Sequence, residues 1–344
     1  MDARFSVYEA RLRAPLLSAS GGESVRPLVL LQLHSAELGV TGWGEAASLE
    51  EYDGVSVETV VGELERCMPA IERASGTDPA ELRCACAELT TVPQALAAID
   101  MALWDLAGRA AGKPVWEMLG GGSAAEVQVN ATIGAEAPDA AAREAVTAAA
   151  AGFGCVKLKV GVGDDLARVR AVRKALGPGV EIRLDANGAW EAAYAEEILG
   201  LLADQELELC EEPVHGLDQL ADVSGVGDVA IAADESASDP GVFDHRYCEA
   251  LCLKISRCGG ITGVLRDAAA ARAVGYEVYL ASTLDGPLGI AAALHAATVV
   301  APDRHSGLAT LGRFEGCGGF PVVDGVMSAP AGVGLGEGLA DWYR

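Results

Sequence analysis

Aromatic residues are scarce in this chain, 5% of its 344 residues, and its 25 lysines and arginines are set against 50 acidic residues, for a formal charge of −25. A chain so short of positive charge is a poor partner for nucleic acid, whose binding rests on neutralising phosphates. No apolar run approaches the roughly 20 residues of a membrane span, so no membrane partner is expected. Met1 to Arg13 mixes charged and apolar residues and lacks the apolar stretch that directs secretion, which makes a cytoplasmic location the expectation. There is no Cys-x-x-Cys pair among the nine cysteines (Cys67, Cys84, Cys86, Cys155, Cys210, Cys248, Cys252, Cys258 and Cys317). Neither a zinc knuckle nor a thioredoxin-like redox site is indicated, and an odd, scattered set reads as small buried hydrophobes.

The chain does hold 51% hydrophobic residues, mostly Ala, Leu and Val, in a length that favours two domains. Phe5–Arg13, Pro27–His34 and Val40–Glu45 read as strands, with a flexible loop at Ser18–Ser24. Val55–Arg73 and Val92–Ala111 read as helices, the second with Leu96, Ile99, Leu103 and Leu106 at helical spacing and a stop at Gly112–Pro114. After Gly120–Gly122 the texture changes to short apolar strands alternating with Ala-rich helices. The strands fall near Val127–Gly134, Cys155–Val160, Glu181–Asn187, Leu207–Pro213, Val229–Glu235, Ala250–Ser256 and Glu277–Thr283, with a weaker eighth at His305–Thr310. Seven or eight βα units favour closure into a barrel. The expected organisation is an α/β protein with an α+β capping domain over residues 1–122, a (β/α)7β modified TIM barrel over 123–319, and a segment 320–344 returning to the cap. Gly161 and Gly163 follow a strand, but Leu166 stands where a dinucleotide fingerprint needs glycine or alanine, so they read as a tight turn.

Polar residues interrupt the barrel strands at one end. Lys157 and Lys159, two apart, share a strand face. Asp185 and Asn187, Glu211 and Glu212, Asp234 and Glu235, and Lys254 follow on successive strands, at the rim where such barrels build active sites. Any one of these is more often a solvated strand-end charge or a snorkelling lysine. Five consecutive units with a charge at the same end is a pattern, because buried charges need partners or a metal. Three carboxylates converging from neighbouring strands repel unless a cation neutralises them, and oxygen-only ligation suits Mg2+, with Mn2+ as the alternative ion. A lysine serves as a base when a nearby positive charge favours its neutral form. Lysines flanking a dication then suit removal of a proton next to a carboxylate, a reaction that needs its negative oxygens stabilised.

These motifs resemble those of the enolase superfamily, in particular the muconate-lactonizing subgroup of the mandelate racemase/muconate lactonizing enzyme family, over nearly the whole chain. Gly42-Trp-Gly-Glu-Ala46 is similar to the first-domain signature, and Ala97–Leu106 with Gly112–Pro114 to the helix leading into the barrel. Lys157-Leu-Lys159, Asp185-Ala-Asn187, Glu211-Glu-Pro213, Asp234-Glu-Ser236 and Lys254–Gly260 match the catalytic motifs in order. The resemblance implies Mg2+ ligation by Asp185, Glu211 and Asp234, with Lys159 as base, Lys157 as its modulator and Lys254 as the opposite acid/base or cation. It implies substrate or supporting roles for Asn187, Glu235, Ser236 and Asp285, where many relatives carry Glu in place of Asp285. The implied partner is a small-molecule carboxylate, with assembly into a homo-oligomer left open.

The resemblance also narrows the chemistry. Lys254 stands where the mandelate racemase subgroup has a late-strand His, and the five histidines form no dyad by spacing; most read as surface residues. Ser306–Leu311 lacks the Asp-x-Asp with which dipeptide epimerases hold a substrate amine. The runs Leu280–Ile290 and Gly307–Thr310 look most like o-succinylbenzoate synthases, with N-acylamino-acid racemase and muconate cycloisomerase as alternatives. Specificity is expected from the Ser18–Ser24 loop and from Glu50–Asp53. From other classes, a Schiff-base barrel enzyme leaves the three acids unexplained, and a non-catalytic binding protein leaves both acids and lysines so.

Overall fold

The structure, a computed structural model, describes residues 1–18, 21–74, 79–124, 126–318 and 320–344. Its first part is an antiparallel meander of β1 (Asp2–Ser18), β2 (Gly21–Ser35) and β3 (Val40–Ala46), with β2 in the centre. Both faces of β2 are buried: Leu28 and Leu30 join the barrel-side core, while Val29, Leu31 and Leu33 pack with the helices of the cap. The period-2 geometry of a strand sends these two sets to opposite sides. The loop expected at Ser18–Ser24 is mostly strand, since Leu16 pairs with Glu23, Leu17 with Gly22 and Ser18 with Gly21; residues 19–20 lie outside those described. Pairing satisfies backbone groups that a Gly/Ser run has few side chains to cap.

Four helices complete the cap: α1 (Glu50–Asp53), α2 (Val57–Arg73), α3 (Pro79–Ala87) and α4 (Pro93–Ala111). Helix α2 starts at an N-cap, where Ser56 accepts from the Thr59 amide at 3.1 Å, and buries Val60, Leu64, Cys67 and Ile71 at helical spacing. Helix α3 was not legible in the sequence, because nine residues burying little more than Leu82 and Cys86 carry too short a period. Helix α4 is buried nearly all round, lying between the meander and the barrel. The glycines of the Gly42–Ala46 signature serve this contact, for a Cβ at Gly44 would lie 2.0 Å from the Ala98 carbonyl oxygen.

Beyond α5 (Val115–Met118) comes the barrel. Strands β5 (Ala131–Ile133), β6 (Cys155–Lys159), β7 (Glu181–Asp185), β8 (Leu209–Glu211), β9 (Ile231–Ala233), β10 (Ala250–Lys254) and β11 (Glu277–Ala281) are parallel and neighbour one another in chain order. Between them run α6 (Pro138–Ala150), α7 (Asp165–Leu176), α8 (Ala192–Leu201), α9 (Leu217–Val223) and α10 (Ile261–Val274), with α11 (Pro287–Val300) after β11. The first barrel strand, expected as one piece, divides: β4 (Glu126–Gln128) pairs antiparallel with β12 (Val326–Ser328) before the chain enters β5. The eighth strand is thinner than expected. Single bridges from Ser306 to Val129 and from Gly307 to Ala281 close the ring. The result is the modified (β/α)7β barrel with its α+β cap.

After β12 the chain runs along the cap. The Leu335 amide donates to Asp105 Oδ1 at 2.7 Å, Trp342 stacks edge-on against Tyr8, and the Tyr343 hydroxyl donates to Glu45. Of the histidines, His295 departs from the surface expectation: it is fully buried in α11, accepting from the Trp116 amide at 3.1 Å and bonded to the Leu335 carbonyl. Among the described residues, no helix is long and apolar enough to cross a membrane.

Candidate active site

Strand register arranges the charges in rows. Lys159 pairs with Asp185 and Asp185 with Glu211, so the three stand side by side on β6, β7 and β8. Two residues earlier, Lys157 pairs with Arg183, forming a second row beneath the first. Residues two apart share a face, so each lower cation reaches up between the acids above it. Lys157 Nζ lies 2.9 Å from Asp185 Oδ2 and forms a shorter contact with Glu211. Arg183 Nη1 donates to Glu211 Oε1 at 3.2 Å, while its other nitrogens bind Glu208 at 2.7 and 2.8 Å. Lys159 Nζ is 2.6 Å from Asp185 Oδ2 and 2.6 Å from Asn187 Oδ1. Around the ring, Asp234 follows β9 and is held by Lys254 at 2.7 Å.

Burial makes these pairings decisive. Asp185, Glu211 and Asp234 are all buried. Burial alone would raise the Asp185 carboxyl, yet Lys157 and Lys159 outweigh it and hold the group far below the usual carboxylate range. Asp234 is likewise pulled up by burial and brought down overall by Lys254 and Lys157. The same charges act in reverse on Lys157 and Lys254: burial favours their neutral forms, but the facing carboxylates raise both above an ordinary lysine. Glu235 differs, pushed up to about 8 by burial and by the charge of Asp234.

The loops after the strands build a frame. The chain turns through left-handed steps at Asn187 (φ 44°) and Glu212 (φ 37°), conformations uncommon outside glycine. The turn leaves the Glu212 carboxylate accepting from the Asp234 amide at 2.8 Å and from the amide and hydroxyl of Ser236. Asn187 donates to Glu235 Oε1 at 3.0 Å, linking that carboxyl to Lys159. Asp285 stands apart from the row of acids but within reach of it: it accepts from the Thr283 amide at 2.9 Å, sits beside Glu45 in the seam between barrel and cap, and is met by the charges of Arg26 and Lys254.

The structure thus brings together Lys157, Lys159, Asp185, Asn187, Glu211, Asp234, Glu235, Ser236 and Lys254. Three further participants were not singled out from sequence. Arg183 carried a signal, its two-residue spacing from Asp185, but a lone arginine in an apolar strand gave no reason to place it inside. Tyr52 lay in a segment named for specificity; its hydroxyl donates to Asp234 Oδ1 at 3.0 Å. Arg257 lay in the Lys254–Gly260 motif, and it reaches the Tyr52 hydroxyl at 3.0 Å and the Asp234 carbonyl at 3.2 Å.

The donor set fits a hard dication. It is oxygen-only and buried, and the Lys157 ammonium already bridges two of its members, standing where positive charge is required. Among the described residues the three acids do not draw their oxygens within 4.8 Å of one another as a set; the lysines lie among them.

Residues 140–341 match the sequence family described as enolase C-terminal domain-like, and residues 3–120 match the N-terminal domain of mandelate racemase/muconate lactonizing enzyme. Over 317 residues, 88% of this chain and 87% of the relative, it is 32% identical to a hydrophobic dipeptide epimerase of Enterococcus faecalis. Over a shorter 197 residues, 54% of this chain and 60% of the relative, it is 39% identical to an o-succinylbenzoate synthase of Thermobifida fusca. The fold is similar to that of the L-Ala-D/L-Glu epimerase of Bacillus subtilis in a substrate-liganded complex, with a TM-score of 0.90 and 28% identity across 98% of each chain. The chain belongs to the mandelate racemase/muconate lactonizing enzyme family of the enolase superfamily, and is an enzyme of that superfamily's isomerase and lyase chemistry.

Proposed function

We propose that this enzyme removes the proton α to a substrate carboxylate from one face and then expels a β-hydroxyl as water, as an o-succinylbenzoate synthase does. One observation carries the choice of one-face chemistry. The Lys159 side chain is 39% exposed at the barrel mouth, whereas Lys254 is 7% exposed, ion-paired to Asp234 and covered by Tyr52. Asp185, Glu211 and Asp234 would hold Mg2+, with Mn2+ as the alternative. When bound, the dication supplies positive charge for the two oxygens of the deprotonated substrate carboxylate.

The protein's own groups do the rest. Lys159, as the neutral amine, takes the α-proton; as the ammonium it returns a proton to the departing hydroxyl, so that water leaves and the lysine is regenerated. Asn187, 2.6 Å from Lys159 Nζ, orients the base, and Glu235 orients Asn187. Lys157 and Arg183 supply the row of positive charge beneath. Lys254 contributes a fixed positive charge on the far side. Ser236, through Glu212, fixes the backbone that presents Asp234. Asp285 acts at the seam with the cap, not on substrate.

A second reading, epimerisation of dipeptides or racemisation of N-acylamino acids, draws support from the wider coverage of the dipeptide epimerase relative and from Lys254 lying across the ring from Lys159. Against a dipeptide, Ser306–Leu311 offers no acid for a substrate ammonium. Muconate cycloisomerisation uses the same constellation and belongs in the same comparison. Turnover measured side by side in deuterated buffer on the hydroxylated cyclohexadiene acid, N-succinylamino acids, dipeptides and cis,cis-muconate decides. Dehydration of the cyclohexadiene acid should be fastest; if it is the slowest, the substrate assignment is wrong.

A further inference from the structure

Below the two charged rows lies a third. Cys155 pairs with Glu181 at the start of β6 and β7, two residues before Lys157 and Arg183, so Cys155 shares the inward face of Lys157 and Lys159 at the opposite end of the barrel. His305, just ahead of the thin eighth strand, meets them there, with Nδ1 3.0 Å from Glu181 Oε2. One ligand atom each from Cys155, Glu181 and His305 lies within 4.8 Å of the other two, the one such trio of His, Cys, Asp or Glu among the described residues. Beside it opens a cavity of about 510 Å³, lined by Glu126, Glu181, Glu208, Glu277, Asp303 and His305 among others.

We propose that Cys155, Glu181 and His305 form a binding site for a borderline transition-metal dication such as Zn2+ at the base of the barrel, separate from the magnesium ligands at its mouth. Sulfur, imidazole nitrogen and carboxylate are the donors such an ion takes, and three protein ligands beside a cavity leave a position for water. Five acids line the cavity against one arginine, Arg304, which pairs with Glu277 and Glu208, and the remaining negative charge favours entry of a cation. Glu208, 3.9 Å from the Cys155 sulfur, is committed to Arg183 and serves as neighbour, not ligand. Binding takes the proton from Cys155 and releases it to solvent, leaving a thiolate on the metal. The ion would tie His305, and with it the two single bridges that close the ring, to β6 and β7. It would brace the barrel where backbone pairing is weakest.

The test titrates Co2+ into the reduced, full-length enzyme saturated with Mg2+, reading the near-ultraviolet thiolate-to-cobalt charge-transfer band. One equivalent of that band is expected. It should vanish in Cys155→Ser, weaken at least about tenfold in Co2+ affinity in the partly exposed His305→Gln, and persist in Asp185→Asn. Zn2+ should raise the Tm of the wild type and of Asp185→Asn, but not of Cys155→Ser or His305→Gln. A band that is absent, or that survives both Cys155→Ser and His305→Gln, overturns the proposal. If Cys155→Ser fails to fold, His305→Gln decides.

Discussion

The hydroxyl of Tyr52, on the short helix α1 of the cap, donates to Asp234 Oδ1 of the barrel at 3.0 Å, and the same oxygen of Tyr52 accepts from Lys254 at 2.5 Å and Arg257 at 3.0 Å. The Tyr52 ring also lies 4.0 Å from the Lys254 ammonium, so it meets that charge with both its hydroxyl and its π-face. Burial and the charge of Asp234 raise the Tyr52 phenol well above its ordinary range, so it remains a donor at neutral pH. One cap residue therefore sits on a proposed metal ligand and a proposed catalytic cation together.

Tyr52→Phe keeps the ring and removes the hydroxyl. Hydrogen bonds to charged groups contribute about 1.5–3 kcal/mol each, so kcat/KM should fall by roughly 10–100-fold. Tyr52→Ala, which also loses the ring, should fall further. Wild-type kcat/KM in Tyr52→Ala would remove this residue from the active site.

Asp185→Asn, Glu211→Gln and Asp234→Asn should each weaken Mg2+ binding by at least about tenfold, or 1.4 kcal/mol, because each removes one proposed anionic ligand. Calorimetric titration of purified enzyme checks this. Undiminished stoichiometric binding in all three variants would place the ion elsewhere.

Lys159→Ala should lower turnover by about 10²–10⁴-fold or more while the Mg2+ site remains. Lys254→Ala separates the two functional readings. If the lysine only supplies charge, dehydration of the cyclohexadiene acid survives at a reduced rate in this variant, whereas racemisation, which needs proton delivery to the opposite face, stops. NMR in deuterated solvent reads both; exchange persisting in Lys159→Ala would reassign the base.

Glu45, in the Gly42–Ala46 signature, has a carboxyl pushed up to about 7 from 4.5, mainly by burial and by the charge of Asp285, against the hydrogen bonds of Tyr343 and Gly286. Its folded pKa lies above its unfolded one, so the protonated form stabilises the fold. That contribution is complete below about pH 4.5 and is lost as pH rises through about 7. Glu45→Gln cannot ionise and keeps an acceptor. Its urea stability should gain on the wild type by about 2.5 kcal/mol between pH 5 and pH 8. An equal difference at both pH values would show that no such titration is linked to folding.

Much of this protein is legible along the chain because strand geometry is local. A period of two places Lys157 with Lys159, and Arg183 with Asp185, before any tertiary contact forms. The repeat of short apolar strands and Ala-rich helices, with an acid or lysine closing strand after strand, marks the barrel and its rim. What a linear pattern cannot carry is the meeting of distant segments. Tyr52 finds Asp234 across 182 positions, and Arg183 is drawn inside only because Glu211 on the next strand and Glu208 just before it neutralise it. Asp285, expected at a strand end, comes four residues after β11 stops at Ala281, and so reaches Glu45 and Arg26 at the cap seam. The first strand divides because Glu126–Gln128 pairs with β12 while Ala131–Ile133 pairs with β6, and the eighth is reduced to two bridges, backbone pairings that side chains do not announce. Cys155 reads as a small hydrophobe in sequence; only the closed barrel sets it beside Glu181 and His305.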